Sequence, residues 1–373
     1  MKIGLVCPYN MHRGGGVQEC VKAIQAELKN RGHEALIITP SPRNAPDTQL
    51  TDVLYVGGAT DIKTPLHTTA QVSFTANSES LDELQEHHKF DVLHFHEPWV
   101  PFMSRQLLRK SNSINIATFH ARLPDTVMSK TIERVITPYT KSVLKYLDAF
   151  TAVSDAAAQY VSDLTDEPIQ IIPNGIDLKH FTAKPAKLTS FDNPTVLYIG
   201  RLEKRKGVNY LIRAFADLQL ELPNAQLLIA GDGPDKEKLT YMVDQLGVEN
   251  VSFLGFISDE EKLKLLHSVD VFCSPAIYGE SFGIVLLEAM AAGVPIVAGD
   301  NPGYSAVMAE TGRISLVNPK DYASFARSLS IFLQDKTIRK TWQKWASPYV
   351  AQFDYPNVVD SYENLYKKLC KRR

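Results

Sequence analysis

Short apolar runs recur along this chain, each followed by a loop and a stretch of helical periodicity, and the series occurs twice. Ile3–Cys7 leads through a glycine-rich turn into Val17–Arg31 and then a second apolar run, Ala35–Thr39. Val92–Phe95, Ile114–Phe119 and Ala149–Val153 continue the series. A second series begins near Thr195 with Val196–Ile199 and runs through Gln226–Ala230, Val251–Leu254, Val271–Cys273 and Pro295–Ala298. Helical patterns such as Val208–Leu220 and Lys236–Leu246 lie between its members. Unbroken apolar runs of strand length suit a sheet covered on both faces, and strand–helix alternation builds parallel βαβ units. Two such series predict an α/β protein of two doubly wound, Rossmann-like domains. The length of 373 residues agrees, because single cores stop growing before that size.

The turn signal Ile172-Pro173-Asn174-Gly175-Ile176-Asp177 and the Pro-, Lys-, Ser- and Asp-bearing stretch Lys184–Pro194 mark the boundary. The expected division is 1–170 for the first domain, 171–190 for a structured hinge and 191–345 for the second domain. Residues 346–373 form a helical segment returning toward the first domain. A net charge of −2 gives no overall attraction to nucleic acid. No 18-residue apolar run is present, so no membrane-spanning helix is expected. Met1–Pro8 reads as a buried first strand, not a signal peptide. Cys7, Cys20, Cys273 and Cys370 are scattered, without a CxxC pair, which fits reduced thiols in the cytosol.

Ligands of open α/β sheets bind beyond the carboxyl ends of the strands, so two such domains facing each other would line a cleft with the loops that follow their strands. After the first strand, His12-Arg13-Gly14-Gly15-Gly16-Val17-Gln18-Glu19 offers backbone N–H groups to a phosphate, or simply turns tightly. Its GGG is not the GxGxxG of a dinucleotide site. Asp91–His96 is followed by Glu97-Pro98-Trp99-Val100-Pro101. His94 and His96 have a metal-compatible spacing but no third ligand nearby, so a buried, hydrogen-bonded histidine is the expectation and zinc is not. His120 stands at the carboxyl end of Ile116–Phe119, as either a structural histidine or a group facing the cleft.

In the second half, Gly200-Arg201-Leu202-Glu203-Lys204-Arg205-Lys206-Gly207 follows a strand, and its cations suit a diphosphate or a solvated loop. Gly231-Asp232-Gly233-Pro234 and Gly255-Phe256-Ile257-Ser258 follow later strands; Phe256 would meet a flat base or enter the core. Gly279–Gly293 joins an acidic turn at Glu280 to an apolar helix that begins at Ile284 and carries a second carboxylate, Glu288. The free N–H groups at that helix start form a ready anion site.

With these motifs in order, the chain resembles the retaining glycosyltransferases of the GT-B fold, family GT4. The resemblance runs from Gly15-Gly16-Val17 through His120, Ile172–Asp177, Gly200-Arg201-Leu202, Lys206-Gly207 and Gly231-Asp232-Gly233 to the Glu280/Glu288 pair. Pro8-Tyr9, Gly14–Gln18, His94–Pro98 and Gly279–Gly293 are most similar to the phosphatidyl-myo-inositol mannosyltransferases. The resemblance implies that Arg201 and Lys206 neutralise a nucleotide-sugar diphosphate, with Gly15, Gly16 and the N–H groups of Phe282, Gly283, Ile284 and Val285. It implies that Glu280 touches the transferred sugar, Glu288 the ribose, and His120 the donor sugar from the other domain. Gly231, Phe256 and Ile257 complete the donor side; Tyr9, Asn10, Glu97 and Trp99 fall on the acceptor side. His120, Glu280, Arg201 and Lys206 are the expected catalytic set.

The implied reaction moves a hexose, mannose first, to a lipid or glycan acceptor, with no cofactor beyond the donor substrate. GDP-mannose leads UDP-sugars. No Asp-x-Asp triplet occurs, which fits metal-independent transfer. Expected partners are the donor and the acceptor, not nucleic acid. The expected location is cytoplasmic, with peripheral contact at the inner face of the plasma membrane left open by the basic Lys367–Arg373. The segment Ser78–Lys89 departs from the lipid-acceptor subfamily, being acidic where those enzymes carry a basic helix, and an anionic leaflet would repel it. An epimerase or a catalytically silent nucleotide-sugar-binding protein is the alternative on the same fold.

Overall fold

The computed structural model describes residues 1–12, 14–41, 50–63, 69–75, 78–100, 103–121, 127–186 and 190–373. Arg13 of the glycine-rich loop, Pro101 and residues 187–189 of the expected linker lie outside the described residues. The chain forms two compact units, Met1–Gly175 with Tyr355–Arg373, and Ile176–Asp354.

Among the described residues the first unit holds eight strands: β1 (Lys2–Val6), β2 (Glu34–Ser41), β3 (Val53–Lys63), β4 (Thr69–Thr75), β5 (Val92–His96), β6 (Ile114–Phe119), β7 (Ala149–Ala152) and β8 (Ile169–Ile171). Their order is β4-β3-β2-β1-β5-β6-β7-β8. Every pairing is parallel except β3 with β4. The antiparallel β3–β4 edge is not visible as an apolar run: Gly57-Gly58-Ala59-Thr60-Asp61 interrupts β3 with small and polar residues.

Helix Gly16–Asn30 buries Cys20, Val21, Ile24 and Leu28, a helical stripe, on a core containing Ile3, Leu5, Ile37, Val92 and Ile116. The same core takes Val358, Val359, Tyr362 and Tyr366 from helix Tyr355–Cys370. Arg31 fastens that helix: Nη1 lies 2.5 Å from Asp360 and 3.1 Å from Glu363, and Nη2 donates to the Pro356 carbonyl at 2.7 Å.

The second unit holds β9 (Thr195–Ile199), β10 (Gln226–Ala230), β11 (Val251–Gly255), β12 (Val271–Ser274), β13 (Ile296–Gly299) and β14 (Leu316–Val317), in the order β11-β10-β9-β12-β13-β14, all parallel. Sequence placed the end of this half at 345. Helix Lys336–Val350 runs through that position with Trp342 fully buried, its indole donating to Ser315 Oγ at 2.8 Å. The division therefore falls after Asp354.

Candidate active site

Strand order decides which loops of the second unit meet. β9 lies between β10 and β12, so the chain builds outward first to one side and then to the other. Such a switch point opens a crevice beyond the carboxyl ends of the two central strands. The loop after β9 is Gly200–Gly207 and the loop after β12 leads through Pro275 to Gly283. Lys206 Nζ lies 2.8 Å from Glu280 Oε1, and Arg205 Nη1 reaches the same oxygen at 2.7 Å. Arg205 Nε also holds Glu203 at 2.6 Å. Burial opposes the guanidinium charge, but Glu280 and Glu203 outweigh it, and the Arg205 pKa lies above its ordinary value.

These loops are fixed through their backbones. Ile277 N donates to Arg205 O at 2.9 Å, and Leu202 N donates to Asp232 O at 2.9 Å, which ties the Gly231 turn to the loop after β9. Gly207 ends the short turn Lys204–Lys206 at φ 72, and a Cβ there would lie 2.1 Å from the Pro275 carbonyl. No larger residue lets the two loops approach so closely. Tyr198, buried in β9, donates from its hydroxyl to Arg201 O at 2.9 Å, while the Arg201 side chain stands in solvent.

Helix Ile284–Ala291 starts from Gly283 (φ 105) without a side-chain cap. The N–H groups at Gly283, Ile284 and Val285 therefore have no intrahelical or capping partner, as at any uncapped helix start. Phe282 contributes backbone only, since its ring is buried against Phe353 at 5.9 Å. One helical turn further on, Glu288 is half-buried and pairs with Lys262 Nζ at 3.1 Å. Burial pushes its pKa above the ordinary carboxylate value, against the pull of Lys262. Phe256 is not core: it is 89% exposed, with Ile257 partly exposed beside it.

In the first unit, β1 and β5 occupy the switch point. Tyr9 and Asn10 lie on the loop after β1; Tyr9 O accepts from Thr39 Oγ1 at 2.8 Å, and buried Asn10 accepts from His12 N at 2.9 Å. Gly15 and Gly16 open helix Gly16–Asn30, which also lacks a side-chain cap. His94, His96 and His120 are all buried. His94 Nδ1 bonds Tyr366 Oη at 2.7 Å and its Nε2 bonds Thr118 Oγ1 at 2.6 Å. His96 Nδ1 bonds His120 Nε2 at 2.8 Å. Both nitrogens of His94 are engaged, which makes it the buried, hydrogen-bonded histidine expected from the sequence. Among the described residues no group of three or more His, Cys, Asp or Glu is arranged to hold a metal ion. Burial pushes His94 down to about 3 and His120 down to about 4, so these rings are neutral near pH 7.

Glu97, expected on the acceptor side, is held by the turn after β6. Its side chain is fully buried, and Oε1 accepts from the backbone N–H groups of His120 at 2.5 Å and Ala121 at 2.6 Å. Trp99, partly exposed, donates from its indole to Oε2. Burial lifts the Glu97 carboxyl to about 7, against the pull of those three donors. Glu97 is thus turned inward on the turn that carries His120. Two other residues escaped the sequence reading. Arg205 looked like one cation among four, and only the geometry shows that it bridges Glu203 and Glu280. Lys262 gave no signal, since its partner Glu288 lies on another helix.

The two largely parallel sheets match known glycosyltransferase structures across the whole chain. Sucrose-phosphate synthase from Thermosynechococcus elongatus superposes with a TM-score of 0.78 at 20% identity, covering 100% of both chains. The Anabaena protein Alr3699/HepE, solved in complex with UDP-glucose, superposes with a TM-score of 0.76 at 19% identity, covering 99% of this chain and 100% of that one. The fold is that of the GT-B glycosyltransferases, two Rossmann-like domains in one chain. Residues 14–180 match the model of Glycosyltransferase Family 4 and residues 181–347 that of Glycosyl transferases group 1. The phosphatidyl-myo-inositol mannosyltransferase of Mycolicibacterium smegmatis is 32% identical over 98% of this chain and 94% of its own length. Its namesake in Mycobacterium tuberculosis is 31% identical over 99% and 97%. This chain belongs to glycosyltransferase family 4, and it is a glycosyltransferase similar to those mannosyltransferases.

Proposed function

We propose that the enzyme transfers mannose from a nucleotide-diphosphate sugar to a lipid-linked acceptor, with retention at the anomeric carbon and without a metal ion. The observation that carries this reading is the meeting of Lys206 and Arg205 with Glu280 beside the uncapped start of helix Ile284–Ala291. Arg205 and Lys206 pair with Glu203 and Glu280, and the same loop carries the exposed cations Arg201 and Lys204, so four cations stand against two carboxylates and the loop has a surplus of positive charge. Such a surplus, with helix N–H groups beside it, suits a diphosphate both as a bound group and as a leaving group. Gly15 and Gly16 would add backbone contacts to the diphosphate. Glu280 would read the sugar hydroxyls, Glu288 the ribose, exposed Phe256 the base, and His120 the transferred sugar. The departing phosphate would help deprotonate the acceptor, so the protein's contribution is positioning and charge stabilisation.

Mannose and a lipid acceptor are favoured by the names of the mycobacterial relatives, and GDP-mannose follows from that choice. UDP-sugars stand second because a structural neighbour binds UDP-glucose. No described helix is long and apolar enough to cross a membrane. A lipid acceptor would therefore be met peripherally, with the basic Lys367–Arg373 as the contact. The test is transfer of radiolabelled sugar from GDP-mannose and UDP-glucose to a lipid extract, with and without EDTA. Transfer from GDP-mannose that survives EDTA and disappears in Glu280→Ala and Lys206→Ala variants of native fold is the expected result. Transfer only from UDP-glucose, a strict Mg²⁺ requirement, or full activity in either variant would refute the corresponding part.

A further inference from the structure

A carboxylate fully buried with no cationic partner is an expensive way to close a turn. Among the described residues, Glu97 is such a group. It sits directly after β5 at φ 53, a left-handed conformation that a non-glycine residue adopts only under constraint. Its own N–H donates to Thr118 O at 2.9 Å and its carbonyl accepts from Val100 N at 3.0 Å, so the main chain is pinned on both sides. The side chain then turns to the neighbouring strand end, where Oε1 takes the N–H groups of both His120 and Ala121. The Trp99 indole occupies Oε2. Only an acceptor can satisfy three donors, which a Gln could not do without setting its NH2 against an N–H.

We propose that Glu97 is a positioning residue for sugar transfer: its carboxylate fixes the main chain of His120 and Ala121, and Trp99 orients that carboxylate. The proposal rests on the reading of His120 as the group facing the donor sugar. Fixing the main chain where β6 ends fixes the origin of the His120 side chain, while His96 fixes the ring at Nε2. A displacement of 1 Å at such a point lowers turnover by about 10²-fold in unfavourable cases. The titratable side chains that feel Glu97 are Cys7 and Tyr9, on the chain following β1; His120, whose backbone N–H it holds, is bonded through its ring to His96. Burial pushes both histidines down, and burial, with Glu97 adding to it, pushes Cys7 and Tyr9 up, so all four are neutral near pH 7. Glu97 is then the one member of this group whose charge changes there. A protonated carboxyl accepts more weakly, so the acid side of the activity profile should follow Glu97.

The test compares wild type, Glu97→Gln, Glu97→Asp and Trp99→Phe. For each, kcat and donor KM are measured from about pH 5.5 to 8.5, and hydrogen exchange is followed at the His120 and Ala121 amides. Expected for Glu97→Gln are a kcat at least tenfold lower, a donor KM within threefold of wild type, and exchange at the two amides at least tenfold faster. Its acid limb near pH 7 should disappear, and Glu97→Asp should recover part of kcat together with that limb. Unchanged kcat and exchange in Glu97→Gln would overturn the proposal. Should Glu97→Gln fail to fold, Trp99→Phe decides: removing a donor must move the acid limb to higher pH, and an unmoved limb refutes the role. If the wild type transfers from no nucleotide sugar, the functional reading fails, while the exchange measurement still judges the clamp by itself.

Discussion

Gly303 lies in the short helix Pro302–Val307, outside every motif named above, yet it sets where Glu280 can stand. A Cβ placed on it would lie 2.3 Å from the Glu280 carbonyl oxygen, 2.5 Å from the carbonyl carbon and 2.9 Å from the Ser281 carbonyl carbon. Side-chain carbons essentially never approach other atoms within 3.0 Å, so the Glu280 backbone must retreat by roughly 0.7 Å at the least. Two effects oppose each other in Gly303→Ala. Alanine gains up to about 1 kcal/mol over glycine inside a helix. Overpacking a buried site costs about 1–3 kcal/mol. The clash is with main chain, which cannot rotate aside, so overpacking should win by about 1 kcal/mol, a fall of roughly 2–4 °C in Tm for a unit of this size. The displaced Glu280 should lower donor turnover by about tenfold or more. Differential scanning calorimetry and steady-state kinetics read the two effects. A Tm at or above wild type with unchanged turnover would show that the loop yields freely, and the argument for a fixed Glu280 would fail.

Tyr366→Phe removes the partner of His94 Nδ1 in a buried setting and should destabilise the protein by about 1–3 kcal/mol in urea unfolding; an unchanged midpoint would show that the bond contributes nothing. Arg205→Met leaves Glu203 and Glu280 without the guanidinium that joins them, and turnover should fall at least tenfold. Arg205→Lys should recover only part of it, because one ammonium cannot span both carboxylates; full recovery would refute the bridge.

Acid stability follows from the buried histidines. His94 and His120 are held down at about 3 and about 4, and His96 well below its ordinary value, all chiefly by burial. Below about pH 6.5 the unfolded chain takes up protons that these rings do not, so stability falls with pH through that window. Glu97, lifted to about 7, acts oppositely: between its unfolded value and 7 the native state holds the extra proton. Glu288, also raised by burial, acts as Glu97 does, while His88 and His267, lowered by burial, act with the other histidines. Five histidines against two carboxyls make the acid loss dominate, and a stability that rises on acidification from pH 6.5 to 5 would contradict the burial assignments.

The parallel strands were legible because a sheet covered on both faces needs unbroken apolar runs, and Ile3–Cys7 or Gln226–Ala230 can do little else. The β3–β4 pair was not, since Gly57, Gly58 and Asp61 break the apolar run that marks the other strands. The loops after β9, β10 and β12 were legible as glycine and charge at strand ends. Arg205, Lys262 and Gly303 were not, because their partners Glu280 and Glu288 are neighbours only through strand order and helix packing. The burial of the Glu97 side chain was not legible, because nothing in its local sequence reveals that the amides at 120 and 121 draw it inward.

The chain leaves the first unit after Gly175 and re-enters it at Tyr355, while Ile176 and Asp354 at the two ends of the second unit are joined by a β-bridge, with Ile176 N donating to Phe353 O at 2.8 Å. The second unit is therefore a cassette: its entrance and exit are one stitched point, closed before either end continues. Evolution or an engineer could exchange everything between those two residues for another module of the same fold without rerouting the chain, since its entrance and exit stay joined.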